Sequence, residues 1–383
     1  MKTGGNEKEV LPARALQARE AAGFSILEAA KLLGFRNYQT LSAIEKGSRK
    51  IGAHELSAMA RLYGRSLDYF FQLEAQADPQ PLWRKAVDAV PQEVERQFLL
   101  FLENYSKLEE LLGLERRWRS IQRKYDRRDF ASHGFDLVDQ LAVEIRESLN
   151  LGSRPAPNLL NVLGNNLRFK ILHLPLREGI SGASVVDEKV GVGVLINERD
   201  VPWRRNFDLA HELFHIITWG VFPHYEVGDG KTKTKPEQYA DAFASSLLLP
   251  KDDLLKSLEE ITTGNQMRYV DIIELAKNYG VSTEAVLWRL VNLGKVDRSE
   301  VEKAKNNPEL TKIDRTRRRG LFGSVIASKF PSRYISLACR CLIEGKISRG
   351  VFAKYLAIDR DDVDTTLRKH GYLDGTYEKV ASA

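Results

Sequence analysis

The segment FDLAHELFHIITWG places His211 and His215 four residues apart, with Glu212 directly after the first of them. On a helix that spacing is about one turn, so both imidazoles share a face and can bind one cation. Neutral imidazole nitrogens suit Zn2+, and an open coordination position lowers the pKa of a water towards ~7. A neighbouring carboxylate can take that water's proton and deliver it to a leaving amine, which is the role assigned to Glu212.

Two histidines leave the site incomplete. The segment KPEQYADAFASSLLLP supplies Glu237 and Asp241, four residues apart and so on one face of a second helix, opposite the apolar Ala240, Phe243, Ala244, Leu247 and Leu248. Glu237 is assigned to the metal and Asp241 to a position behind it, holding a ligand imidazole in the correct tautomer. Phe207, Leu209, Ala210, Leu213, Phe214, Ile216 and Ile217 make the first helix apolar almost all round, so it is expected to be buried, where His and Glu must be paired or coordinated. His224 and Tyr225, in the loop between the two helices, are weaker candidates for stabilising an oxyanion. His54, His133, His173 and His370 lack a companion at ligand spacing.

These elements sit in a chain of 383 residues, long enough for two or three domains. From Pro12 to Phe71 the pattern predicts five short helices, near Ala13 to Ala22, Ser25 to Leu33, Tyr38 to Lys46, Ala53 to Tyr63 and Leu67 to Phe71, punctuated by Gly23, Gly34, Gly47 and Gly64. After the polar QLEAQADPQP, a helical segment is expected from Leu82 to Arg127, broken near Pro91 and Gly113. A helix from Asp136 to about Asn150 precedes the strand-like FKILHLPL and the hairpin ASVVDEKVGVGVLINE, whose turn falls at Asp187 to Lys189. Helices resume at Asn206. Tyr269 to Leu293 reads as a helical pair with a packing role, the basic RTRRRG at Arg315 to Gly320 as an exposed linker, and the tail from Pro331 as a small helical unit.

Bulk properties constrain the class. Charged residues make up 29% of the chain but the net charge is only +6, so nucleic-acid binding is permitted and must be localised rather than global. The two cysteines, Cys339 and Cys341, are too few for a disulfide framework and read as buried small apolar residues. No run approaches the ~20 apolar residues of a membrane helix, and MKTGGNEKEV lacks the apolar stretch of a signal peptide, so a cytoplasmic protein with no membrane partner is expected.

The second and third N-terminal helices have the layout of a DNA reader, one crossing the backbone and the other entering the major groove with its first turn. Gln39 can bond adenine bidentately, and Thr40 offers a methyl to thymine. Arg36, Asn37, Tyr38, Gln39, Thr40 and Ser42 are the expected contact residues, with Arg49 and Lys50, beside Ser48, placed for phosphates. Leu41, Ile44, Leu56 and Met59 are expected to form the small core. The competing reading is a five-helix module used for protein contacts alone.

The stretch LQAREAAGFSILEAAKLLGF to LDYFF resembles the Cro/XRE helix-turn-helix family, and residues Phe135 to Lys251 resemble the ImmA/IrrE metallopeptidases, with an AHELxH helix followed by ExxAxxFAxxLLxP. Two departures stand out. Phe214 replaces the small residue usual before the second histidine, and Ile26 stands where such helix-turn-helix proteins often carry Gln, with RNYQT one residue longer than the common turn.

The resemblance implies a gluzincin-like site of His211, His215 and Glu237 with Glu212 as base, in a regulator that relieves repression by cutting a DNA-binding repressor in a stress or mobile-element response. The expected fold is mainly α with a small antiparallel β-sheet (α+β): an XRE-type helix-turn-helix domain at 1–76, a helical linker at 77–134, an ImmA/IrrE-like metallopeptidase domain at 135–260 and a helical C-terminal region at 261–383. Expected cofactors and partners are Zn2+, or Mn2+ or Fe2+ on the same ligands, a double-stranded operator bound as a homodimer, and a protein substrate such as a helix-turn-helix repressor. The alternatives are a non-proteolytic DNA-binding sensor whose metal domain answers a ligand, and an antitoxin-like regulator.

Overall fold

The computed structural model describes residues 7–21, 24–63, 65, 67–71, 82–83, 91–115, 121, 125–177, 180–222, 233–262, 267–318 and 328–372. His224, Tyr225, Gly23, Gly64, the QLEAQADPQP stretch and the Arg319–Gly320 end of the basic run lie outside the described residues. The chain divides into two compact units, one of residues 1–80 with 90–104, the other of 81–89 with 105–383.

The first unit contains α1 (Glu7–Ala21), α2 (Ile26–Leu32), α3 (Tyr38–Glu45), α4 (Ala53–Tyr63) and a single 3-10 turn, Asp68–Phe71. Ser25 caps α2 through a reciprocal pair with Glu28, its hydroxyl accepting from the Glu28 amide at 3.3 Å while its own amide donates to Oε2 at 2.9 Å. Asn37 caps α3, accepting from the Thr40 amide at 3.1 Å. Leu41, Ile44, Leu56 and Met59 are buried with Ala15, Ala18 and Phe70 in one small core.

Two details differ from expectation. Helix α1 begins at Glu7 rather than Ala13, because Pro12 is accommodated inside it and its ring lies against Gly47. A Cβ on Gly47 would stand 3.3 Å from Pro12 Cγ, and its φ of +73° favours glycine in any case. The fifth helix shrinks to a 3-10 turn, which still buries Tyr69 and Phe70.

Helix α5 (Gln92–Leu111) follows Pro91 and ends just before the turn at Gly113, near the breaks the sequence suggests, but the preceding Leu82–Trp83 is a strand, β1, not helix. A two-residue pairing is decided by its partner strand, not by local propensity. In the second unit, α6 (Arg127–Ser148) starts nine residues before the expected Asp136, since Asp126 caps it in a reciprocal pair with Asp129. Gly134, at φ 53°, kinks it in between.

After α7 (Ala156–Asn161) come β2 (Lys170–Leu174), β3 (Gly182–Asp187) and β4 (Gly191–Asn197), in a sheet ordered β1-β3-β4-β2. The hairpin turn is as expected: Asp187 Oδ1 accepts from the amides of Lys189 at 2.8 Å and Val190 at 2.9 Å. The sheet is mixed, however, not wholly antiparallel. β3 reverses direction and β4 inserts between it and β2, so β4 returns parallel to β2, from Lys170 opposite Gly193 to Leu174 opposite Asn197.

Beneath the sheet lie α8 (Pro202–Ile217) and α9 (Lys235–Leu248), packed on each other, with α8 against β3 and β4 and α9 against α6. Every residue of α8 from Asp208 to Ile217 is buried. Phe214 turns into the core, its ring 5.7 Å from Phe243 and 6.1 Å from Phe130 between centroids, so its bulk is taken up by aromatic packing.

Helices α10 (Lys251–Ile261), α11 (Tyr269–Tyr279) and α12 (Thr283–Asn292) extend the same core, the expected packing role for the last two. Buried Arg289 on α12 donates from Nε to the Leu249 carbonyl at the end of α9. Helices α13 (Arg298–Lys305) and α14 (Pro308–Arg318) follow, and α14 contains exposed Arg315 and Arg317, so that part of the basic run is helix rather than linker. The tail forms α15 (Ser332–Ile343), α16 (Arg349–Leu356) and α17 (Val363–Lys369), with Cys339 and Cys341 buried as free thiols. Among the described residues no helix is long and apolar enough to cross a membrane.

Candidate metal centre and recognition helix

Helix α8 opens with Pro202 in its first turn, where the missing N–H costs nothing, and carries His211 and His215 one turn apart on the face towards α9. His211 is fully buried and His215 is 6% exposed. Their Nε2 atoms face each other at 3.1 Å. Glu237 lies in the first turn of α9, where the helix dipole favours a carboxylate. Its Oε1 is 3.1 Å from His215 Nε2 and its Oε2 is 3.4 Å from His211 Nε2.

These three residues form a group able to hold a metal ion, one ligand atom from each within 4.8 Å of the others. The donor set fits a divalent cation by chemistry and by size. Ligands ~2.0–2.1 Å from a tetrahedral zinc stand about 3.3 Å apart, the spacing found here. The other side of His211 is engaged too: Nδ1 is 3.0 Å from Asp241 Oδ1, and the second Asp241 oxygen is ion-paired with Lys233.

Glu237 and Asp241 are strongly biased to the charged form. Burial raises the pKa of Glu237, but hydrogen bonds and charges from His211 and His215 outweigh it and hold the group well below the ordinary carboxylate range. Asp241 is likewise pushed up by burial yet held at about 2 by His211 and Lys233. Glu212, 1% exposed, points from α8 towards β3, where its Oε1 lies 3.5 Å from the position a Cβ on Gly182 would take.

Lys233 and Gly182 are missing from the sequence-derived set. Lys233 stands in the unpatterned run KTKTKPE, and Gly182 is adjacent to Glu212 only through the fold.

In the first unit, Arg36, Asn37, Tyr38 and Gln39 are exposed at the start of α3, Thr40 and Ser42 are half-buried, and Arg49 and Lys50 are exposed beyond its end. The Asn37 side-chain oxygen, Oδ1, is committed to the cap, accepting from both the amide and the hydroxyl of Thr40. Arg49 donates from both terminal nitrogens to Glu55, at 2.8 and 3.1 Å, so its charge is partly neutralised. Arg36, Tyr38, Gln39 and Lys50 are the other exposed members of the expected set.

A family model described as the IrrE N-terminal-like domain, a peptidase family, matches residues 169–291, and a helix-turn-helix family model matches residues 16–70. No curated protein matches the chain. Among solved structures, a Mycobacterium tuberculosis transcriptional regulator is similar at 15% identity and a TM-score of 0.30, over 51% of this chain and 53% of its own. The chain thus spans about half the length of that regulator. The first match contains α8 and α9 with His211, Glu212, His215, Glu237 and Asp241, and the second contains α2 and α3; the chain joins an XRE-type helix-turn-helix to a domain of the ImmA/IrrE family.

Proposed function

We propose that the chain is a DNA-binding transcription regulator whose second domain is a zinc-dependent endopeptidase acting on a regulatory protein, such as a helix-turn-helix repressor. The observation that carries this reading is the convergence of His211 Nε2, His215 Nε2 and the Glu237 carboxylate, with Glu212 on the same helix. His211, His215 and Glu237 are the proposed ligands and Asp241 the residue that orients His211. A divalent cation bound there supplies the Lewis acidity that makes water nucleophilic near neutral pH.

Glu212 then does the proton chemistry. Its carboxylate takes a proton from the attacking water as the oxygen bonds to the peptide carbonyl carbon. It returns that proton to the amine nitrogen as the C–N bond breaks. The DNA half is assigned to Arg36, Asn37, Tyr38, Gln39, Thr40, Ser42, Arg49 and Lys50, reading a palindromic operator as a dimer.

The test compares wild type with Glu212→Gln for cleavage of a co-expressed helix-turn-helix repressor and for operator binding by gel shift. Cleavage lost in the variant with operator binding intact is the expected result; equal cleavage in both removes Glu212 as base. Metal analysis of protein purified without added ions, with His211→Ala as control, identifies the bound ion. The near-complete burial of Glu212 favours one second reading, a closed site in a non-proteolytic sensor. That reading requires metal-dependent operator affinity without new fragments.

A further inference from the structure

Strand β1 is a two-residue piece, Leu82–Trp83, that belongs to the second unit, although α4 before it and residues 92–104 of α5 after it belong to the first. It pairs antiparallel with the outer edge of β3, Leu82 opposite Ser184 and Trp83 opposite Ala183. The next residue along β3 is Gly182, which lies beside Glu212. A Cβ there would stand 3.5 Å from Glu212 Oε1 and 2.6 Å from the Leu195 carbonyl oxygen, so only glycine fits. The strand whose outer edge β1 covers therefore continues past the carboxylate assigned as general base.

An endopeptidase must hold its substrate extended across the reacting groups, and adding a strand to an open sheet edge is the direct way to do so. On the proposed peptidase reading, we infer that the outer edge of β3 beside Gly182 is the lane in which a peptide substrate pairs, and that Leu82–Trp83 of this same chain occupies it. The occupant is tethered, so it competes at an effective concentration on the order of mM. Being only two residues long, it has few ladder hydrogen bonds to lose, so it is displaceable by a longer extended peptide. The lane's partner is thus an unfolded or loop segment of four or more residues in β conformation, recognised first through its backbone.

The experiment uses the full chain in a Glu212→Gln background, which prevents turnover. The pairing is broken by Leu82→Pro with Trp83→Pro, since proline removes the ladder donor. The probe is a fluorescein-labelled peptide, PLWRKA, copied from this chain and read by fluorescence polarisation. The double variant is expected to bind the probe about tenfold more tightly than the background chain. Its β3 amides should exchange faster with deuterium and become protected again when the probe is added. Equal affinity for the probe in both chains, or unchanged exchange across β3, would overturn the inference. Zinc stoichiometry of the double variant checks that the site has kept its fold; should the prolines unfold the chain, Leu82→Gly with Trp83→Gly is read in the same way.

Both readouts are independent of hydrolysis. A chain that never cleaves can therefore pass this test while the peptidase reading fails. A peptidase whose lane is open fails it while cleaving at full rate.

Discussion

Asp241 Oδ1 stands 3.0 Å from His211 Nδ1 while its other oxygen is ion-paired with Lys233, so one carboxylate links an exposed lysine to a fully buried imidazole. With the Nδ1 proton directed at Asp241, Nε2 keeps its lone pair for the cation, and the ring cannot rotate without losing that bond. Asp241→Ala is expected to lower zinc affinity about 10–100-fold, and Lys233→Met by less, since it removes a partner of the carboxylate but leaves the carboxylate in place. Titration against a fluorescent chelator measures both. Unchanged affinity in Asp241→Ala would show that His211 needs no support behind it.

Metal removal should be visible in stability as well. The proposed ligands come from two packed helices, so a bound ion ties α8 to α9 in the folded state and has no equivalent site in the unfolded chain. At a free zinc concentration about 100 times Kd the gain is about 2.7 kcal/mol, or roughly 5–10 °C in Tm for a unit of this size. His215→Ala should flatten the response of Tm to zinc. A wild-type Tm that does not move with zinc or with chelator would remove the ion from the folding equilibrium.

Local geometry made much of this legible in advance. His211 and His215 are related by one helical turn, and Glu237 and Asp241 by another, so their shared faces follow from spacing alone, with Glu212 on the flank of the first pair. The buried stripe Ala240, Phe243, Ala244, Leu247 and Leu248 is legible for the same reason. What escaped depends on contacts between distant segments. Lys233 reaches Asp241 from a polar run with no apolar periodicity, and Gly182 meets Glu212 across a strand-helix interface.

The parallel pairing of β2 with β4 also depends on tertiary order, since alternation within a strand carries no information on its neighbour's direction. Leu82–Trp83 looked helical because its flanks do, and only the β3 edge makes it a strand. In the other direction, Asn37 is a good local signal with two readings. Its side chain suits both a base contact and a helix cap, and the structure commits its carbonyl oxygen to the cap.

In the helix-turn-helix unit, Arg19 on α1 and Glu45 at the end of α3 form a forked pair, 2.7 Å at Nε and 3.1 Å at Nη2, with side chains 11% and 4% exposed. Arg19 also donates to the Phe24 carbonyl at 2.9 Å, so one guanidinium fixes α3 against α1 and the turn that leads into α2. Truncating one partner leaves a buried charge without its counter-ion. Glu45→Ala is therefore expected to cost about 3–5 kcal/mol, while Arg19→Met with Glu45→Leu together cost much less. Hydrogen exchange across α1 and α3 reads the stability, and operator gel shifts read whether α3 stays placed. A Glu45→Ala chain as protected as wild type would mean the pair contributes nothing.

His173 on β2 gives a pH dependence whose sign can be worked out. Burial, then the positive charge of Arg205, push its pKa down from 6.5 to about 4, against a hydrogen bond from the ring to the Ser328 backbone that acts the other way. Its strand is held on the outer side by the His173 amide, which donates to the Lys329 carbonyl at 3.2 Å, and burial with the Arg205 charge favours the neutral form of the half-buried ring. Below pH 6.5 the unfolded chain takes up a proton that the folded chain refuses until about pH 4. Stability from this residue is therefore complete above pH 6.5 and falls progressively between 6.5 and 4. The loss reaches about 2–3 kcal/mol at pH 4.5. Because carboxylates titrate in the same range, the readout is a difference: urea melts at pH 7.5 and pH 4.5 for wild type and for His173→Gln. Wild type should lose about 2 kcal/mol more than the variant over that span, and parallel losses would show that the imidazole is solvated in the folded state.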